Sequence, residues 1–225
     1  MSECKIRISI ISLEEDKERC LKLVSQISNY KLNCNVVSAV NGKRLTAIEY
    51  FMSSKCNTSK LFGRTLLSPS ELGCFLSHKK ALYDFINSTD EWLLVLEDDV
   101  SVCGDLSYFY EQVPLLPRDG IFILGGQDGL KSFSRVVLSN YSDVVCKVRF
   151  GTKRWLYRTC CYLISKEVAE KILMLMEEFP YMADDWSYIS SKTGIKNFYF
   201  AKMFSHPVDL SYSKIELERD YLSQK

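Results

Sequence analysis

The segment Trp92-Leu93-Leu94-Val95-Leu96-Glu97-Asp98-Asp99 decides how the chain is read. Five consecutive apolar residues fit a strand buried on both faces, as at the centre of an α/β sheet. Three carboxylates follow at once. Ligands of open α/β sheets bind beyond the carboxyl ends of the strands, so this run delivers Glu97, Asp98 and Asp99 to the edge where a site is expected. Adjacent carboxylates repel one another unless cations or donors compensate. Mg²⁺ or Mn²⁺ suits such hard oxygen ligands, with phosphate oxygens filling the remaining positions. The reading is a metal bridging the protein and a diphosphate. An acidic solvated turn is the competing reading.

Working outward, Ile6–Ile11 has strand composition, and Glu14-Glu15-Asp16 opens a helical pattern through Leu21, Val24 and Ile27. Acids in a first turn suit the positive end of the helix dipole. Residues 35–40 read as a second strand closed by the turn pair Asn41-Gly42, giving a β-α-β unit with a parallel pair. Residues 43–66 read as an excursion with one short helix. Ser68-Pro69-Ser70-Glu71 is a helix start at capping-box spacing, and that helix is expected to run to about Asn87. Further strands are expected at 121–124, ended by Gly125-Gly126, and at 159–164. A hairpin near Asn140-Tyr141-Ser142 is expected within 133–149. Ser165 caps a helix that Pro180 follows, and Asp184-Asp185-Trp186 opens another. The chain reads as one α/β domain over 1–225, with a charged tail from about 213 expected to be mobile.

The 225 residues are 47% apolar and 25% charged, with 29 Lys and Arg against 28 Asp and Glu, a formal charge of +1. Those values exclude disorder, collagen-like repeats and a coiled coil. A nucleic-acid binder is disfavoured, because it would carry a basic excess. Nine cysteines, an odd number without a CxxC pair, and two histidines speak against a disulfide framework or a structural zinc site. The first residues show no signal-length apolar region, and no apolar run approaches the ~20 residues of a bilayer span. A reducing cytoplasm is expected, with most cysteines acting as small buried apolar residues.

Six short motifs, in order, make the chain resemble glycosyltransferase family 25. They are the first strand with Leu13 and Arg19; Ala39-Val40-Asn41-Gly42; the twelve residues from Leu67 to His78; Leu96-Glu97-Asp98-Asp99-Val100; Tyr162-Leu163-Ile164-Ser165; and Ala183-Asp184-Asp185-Trp186. Ser12 and Ser70 depart from the family, which commonly has Asn and Gly there. The resemblance, from about Ile6 to Ile215, implies a GT-A fold with a Rossmann-type, mostly parallel central sheet flanked by helices. It also implies a nucleotide-sugar donor, a divalent cation and an inverting transfer with a β-linked product.

Under that resemblance, Asp99 is the expected metal ligand, assisted by Glu97 or Asp98, and His206 is a further candidate ligand. An inverting displacement needs a carboxylate base. Asp185 is favoured for it and Asp184 for binding sugar hydroxyls, with the order reversible. One of the two also fits a plain N-cap. Arg19, Asn41, Ser77 and His78, with Glu97 and Asp98, are candidates for binding the donor. Glu71 is a capping residue with some weight for more. Trp186 and Cys74 are expected to pack, and Gly125-Gly126 to give backbone access to the donor or simply mark a turn. Lys147, Arg149, Lys153, Arg154 and Arg158, interleaved with Trp155 and Tyr157, read as a solvated loop or as a surface holding an anionic lipid-linked acceptor at a membrane.

The expected activity is a metal-dependent hexose transfer, galactose from UDP-galactose, onto lipooligosaccharide or another surface glycan, at the cytoplasmic face of the inner membrane. Two alternatives stay open. One is a metal-dependent nucleotidyl or phosphoryl transferase, although no GxxxxGK[ST] loop is present. The other is a nucleotide-sugar binding module without catalysis.

Overall fold

The computed structural model of the chain describes residues 5–56, 64–209 and 213–223. Part of the 43–66 excursion and the extreme N-terminus lie outside these residues. Strand β1 (Ile6–Ser12) leads into helix α1 (Lys17–Ser28) and β2 (Asn35–Ser38), which pairs parallel with β1. Helix α2 (Ala47–Ser53) lies in the excursion, and α3 (Pro69–Ile86) returns the chain to β3 (Trp92–Glu97), parallel to β1 on its other side. The chain therefore leaves β1 in opposite directions, toward β2 and then β3. This is the topology that opens a crevice at the carboxyl ends of the strands.

The remaining elements are β4 (Ser101–Val102), α4 (Leu106–Gln112), β5 (Gly120–Gly125), β6 (Leu138–Asn140), β7 (Cys146–Val148), β8 (Cys161–Ser165), α5 (Lys166–Glu178), α6 (Trp186–Thr193), β9 (Asn197–Ser205) and α7 (Lys214–Ser223). The sheet order is β2-β1-β3-β8-β5-β9-β7-β6, with β4 paired to β9. Strands β1, β2, β3, β5 and β9 share one direction, and β8 runs against its neighbours β3 and β5. The mixed α/β architecture with a mostly parallel sheet is the expected one. The reversed strand at its centre is what builds the site, as described below.

Alternation within the strands sorts side chains onto two cores. Ile8, Ile10, Leu94, Leu96, Phe122 and Leu124 pack on one face with Leu23 and Ile27 of α1. Leu93, Val95, Ile121 and Ile123 pack on the other with Phe75, Leu82 and Phe85 of α3 and Ile172 of α5. Both faces of the central strands are thus covered, which explains why residues 92–96 are apolar without alternation. Each fully buried Leu, Ile or Phe among them contributes about 1.5–3 kcal/mol relative to exposure.

Local signals are met where they were read. Ser68 and Glu71 form the capping box of α3, and Ser165 caps α5. The expected hairpin is β6–β7. Gly42 abuts the start of α3: a Cβ there would lie 1.7 Å from the Pro69 carbonyl oxygen, so no other residue fits without moving the helix. The charged tail departs from expectation. Residues 214–223 form helix α7, whose charged side chains meet partners on α3 and in the turn before α1. Glu218 accepts from Ser70 N and Oγ at 2.9 Å each, Arg219 Nε pairs with Glu71 at 2.9 Å, and Lys214 pairs with Glu15 and Asp16. Among the described residues, no helix is long and apolar enough to cross a membrane. Cys20, Cys56, Cys160 and Cys161 are buried free thiols, as expected for small apolar residues, whereas Cys103 is exposed.

Candidate active site

Three strands deliver the site to one edge of the sheet. β3 ends in Glu97, Asp98 and Asp99. β9 runs the same way and ends in Ser205 and His206. β8 runs oppositely, so the residues that precede it, Arg158, Thr159 and Cys160, lie beside the end of β3. The Glu97 amide donates to the Cys160 carbonyl at 2.8 Å. An open cleft lies here, with Glu97, Asp99, Arg158, Asp184, His206 and Arg219 among its lining residues.

The three acids diverge, each to its own partner. Asp98 turns back toward β1, accepting from Ser12 Oγ at 2.6 Å and pairing with Arg19 at 3.0 Å. Burial pushes its carboxyl up to about 6, against the opposing pull of Ser12 and Arg19. Asp99 Oδ2 lies 3.1 Å from His206 Nε2. Burial by itself would raise the Asp99 carboxyl, but the hydrogen bond and charge of His206 hold it below its ordinary value. His206 is pulled down by burial and pushed up more strongly by Asp99, so its net shift is upward. Glu97 Oε1 accepts from Thr159 Oγ1 at 3.0 Å and lies 3.2 Å from His78 Nε2.

The Asp99–His206 pair fits a hard divalent cation. Asp99 Oδ1 is buried and has no hydrogen-bond partner among the described residues. An orphaned carboxylate oxygen is costly unless something positive meets it. Opposite, Asp184 Oδ2 accepts from the Arg158 amide at 3.2 Å. Arg158 itself takes a left-handed backbone, φ 61°, which is unfavourable for a side chain of its size. The strain is held by its contacts: its guanidinium donates to the carbonyls of Gly126 at 2.6 Å and Asp128 at 3.0 Å, and its carbonyl accepts from Trp186 Nε1 at 3.3 Å. Gly125, φ 129°, lets the end of β5 lie against β9, since a Cβ there would lie 1.9 Å from the Phe204 carbonyl oxygen.

A family model described as glycosyltransferase family 25 (LPS biosynthesis protein) matches residues 5–187. The chain belongs to glycosyltransferase family 25. Among curated proteins, none matches it by sequence. Similar solved structures include A197 from STIV, 14% identical at a TM-score of 0.48, over 91% of this chain and 86% of that one. A glycosyltransferase involved in glycosylation of the major capsid of PBCV-1 is 10% identical at 0.46, over 99% of this chain and 100% of that one. UDP-glucose pyrophosphorylase complexed with UDP-glucose is 10% identical at 0.49, again over 99% and 100%.

In this family 25 glycosyltransferase, the structure brings together Glu97, Asp99, Asp184 and His206 of the residues expected from sequence. It places the others elsewhere. Asp185 is buried and caps α6, its Oδ1 accepting from the Tyr188 amide at 3.0 Å. It is not among the residues lining the cleft, whereas Asp184 is. Arg19 bridges Asp16 and Asp98 and does not reach the cleft. Ser77 Oγ donates to the Gly73 carbonyl and accepts from the Val40 amide, clamping α3 to the loop after β2. Asn41 Oδ1 accepts from the Lys43 amide and caps the short turn that follows. His78 is buried against Tyr162 and Glu97. Glu97 faces His78 and Thr159, whereas Asp99 faces His206.

Two cations at the cleft were missed as site residues. In sequence Arg158 is one charge of a basic stretch, a solvated loop or an acceptor-holding surface, and only the reversal of β8 brings it to the edge. Arg219 belongs to α7 and arrives with Glu216. Glu71, which it meets, is almost fully buried and held by Arg64, Ser68 and Arg219. Together these overcome burial and keep its carboxyl below its ordinary value.

Proposed function

We propose that this glycosyltransferase is an inverting hexosyltransferase that uses a nucleotide-sugar donor and Mn²⁺ or Mg²⁺. The single observation that carries the reading is the buried Asp99 Oδ1, without a hydrogen-bond partner among the described residues, beside His206 in the same cleft as Asp184. Asp99 and His206 would hold the cation, which supplies charge stabilisation for the departing diphosphate. Asp184 accepts the proton of the acceptor hydroxyl as its oxygen bonds to the anomeric carbon, and the nucleoside diphosphate leaves from the opposite side. The Arg158 amide keeps the Asp184 carboxylate in place. The Arg158 and Arg219 guanidiniums keep the cleft favourable for an anionic donor.

The donor is read as UDP-galactose and the acceptor as a lipid-linked lipooligosaccharide or related surface glycan; the family's description as LPS biosynthesis proteins supports the acceptor. The segment 131–158 carries seven Lys and Arg against a single acid, Asp143. Within it, Trp155 lies between the guanidiniums of Arg135, at 4.5 Å, and Arg154, at 5.2 Å. Basic and aromatic side chains so grouped suit the headgroup layer of an anionic membrane, which supports a reading of the enzyme as peripheral at the cytoplasmic face of the inner membrane.

Purified protein is assayed for UDP release from a panel of UDP-sugars, with glycolipid acceptor and Mn²⁺, beside Asp99→Asn. Metal-dependent UDP and glycoside formation, lost in the variant, is expected. Pyrophosphate in place of UDP, nucleotide-sugar binding without turnover, or full activity of Asp99→Asn would overturn the reading.

A further inference from the structure

Beneath the cleft, three side chains of different chemistry converge. Cys74 and His78 are four residues apart on α3 and therefore share a helix face. Glu97 reaches them from the end of β3. Cys74 Sγ, a ring nitrogen of His78 and a carboxylate oxygen of Glu97 all lie within 4.8 Å of one another. Among the described residues no Lys or Arg forms an ion pair with Glu97, and its carboxylate lies 3.2 Å from His78 Nε2.

The surroundings orient these atoms. His78 Nδ1 lies 3.1 Å from the Tyr162 hydroxyl, and its ring stacks on Tyr162 with centroids 5.7 Å apart. This holds the imidazole so that Nε2 points at Glu97. Thr159 Oγ1 donates to the Glu97 carboxylate at 3.0 Å and lies 3.9 Å from Cys74 Sγ. Outer partners of this kind, a hydroxyl behind the imidazole and another on the carboxylate, fix ligand orientation in metal sites. Cys74 and Glu97 also line the cleft, which provides the entry path such a site needs.

We propose that Cys74, His78 and Glu97 bind a zinc-class divalent cation through three protein ligands, with the fourth position reached from the cleft. The thiolate decides the metal class: a soft sulfur donor beside an imidazole and one carboxylate selects zinc-like ions over Mg²⁺ and Mn²⁺. Zn–S near ~2.3 Å with Zn–N and Zn–O near ~2.0–2.1 Å requires only a modest contraction of the cluster. Binding displaces the thiol proton of Cys74, so affinity falls as pH falls. The site is separate from the Asp99–His206 pair and does not rest on the proposed transfer reaction.

The test uses the metal-free full chain titrated with Co²⁺, with Zn²⁺ in competition. One equivalent is expected to give tetrahedral d–d bands and a thiolate-to-cobalt charge-transfer band, both abolished by Zn²⁺. Cys74→Ser loses the charge-transfer band, and Glu97→Gln, which keeps a hydrogen-bonding group of the same shape, weakens Zn²⁺ binding at least tenfold. Asp99→Asn leaves both signals unchanged, which separates this site from the transfer reaction. Circular dichroism and thermal melts confirm that the variants are folded. Octahedral Co²⁺ spectra without charge transfer in the wild type, or Zn²⁺ affinity equal to wild type in Glu97→Gln, would overturn the proposal.

Discussion

Asp184 and Asp185 are neighbours with opposite surroundings, and two conservative substitutions should separate them. Asp184 lines the cleft, and Asp185 is buried as the N-cap of α6. Asp184→Asn keeps an acceptor for the Arg158 amide but cannot take a proton. General-base catalysis contributes about 10²–10⁴ in rate, so turnover should fall by that factor, equivalent to ~3–5 kcal/mol in the barrier. Its melting temperature should stay near wild type. Asp185→Asn keeps a side-chain oxygen for the Tyr188 amide and should retain most activity, since Asn caps as well as Asp. Asp185→Ala removes the cap at a cost of about 1 kcal/mol, or ~2–4 °C in Tm for a chain of this size. Initial rates of UDP release, with saturating Mn²⁺ and donor, and calorimetric melts on the same preparations supply both readouts. If Asp185→Asn abolishes turnover while Asp184→Asn preserves it, the positional argument is wrong.

Other consequences follow from the same geometry. The Asp98 carboxyl is raised from 3.8 to about 6 in the folded state, chiefly by burial. The folded protein therefore holds that proton more tightly than the unfolded chain, and stability drops by up to ~3 kcal/mol as pH rises from about 4 to about 6. Urea unfolding across that window should show the fall in wild type and lack it in Asp98→Asn; identical curves would refute the assignment. Gly42→Ala, which drives a Cβ against the Pro69 carbonyl, should destabilise by at least ~1–3 kcal/mol, measurable by denaturant titration. Arg135→Glu with Arg154→Glu should weaken binding to phosphatidylserine vesicles by at least ~2 kcal/mol, roughly thirtyfold, with no change on neutral phosphatidylcholine vesicles in a sedimentation assay.

Much of the framework was legible along the chain because its causes are local. A strand covered on both faces must be apolar at every position, so residues 92–96 announce themselves. The capping boxes and N-caps are bonds between residues three apart, so Ser68, Glu71 and Ser165 mark helix starts without reference to the rest of the molecule. The carboxyl-edge rule then brought Glu97, Asp98 and Asp99 to the edge, and the structure sets His206, already a candidate beside Asp99, within 3.1 Å of it across more than a hundred residues.

What the linear order could not supply is every assignment that depends on distant groups meeting. Arg19 pairs with Asp98 because β1 and β3 are neighbours in the sheet, not because of anything near it in sequence. The 213–225 tail reads as solvated because it is charged, yet α7 is charged to match Ser70, Glu71, Glu15 and Asp16 on other elements. The choice between Asp184 and Asp185 turns on which carboxyl the loop before α6 points into the cleft. Strand composition carries no direction, so the reversal of β8 was invisible, and with it the arrival of Arg158 and Thr159 beside Glu97. The sequence by itself determined most of the central strands, several helix starts and the acidic edge, because periodicity and capping are short-range. Only the tertiary structure decided which charges face one another, because that depends on strand order and direction.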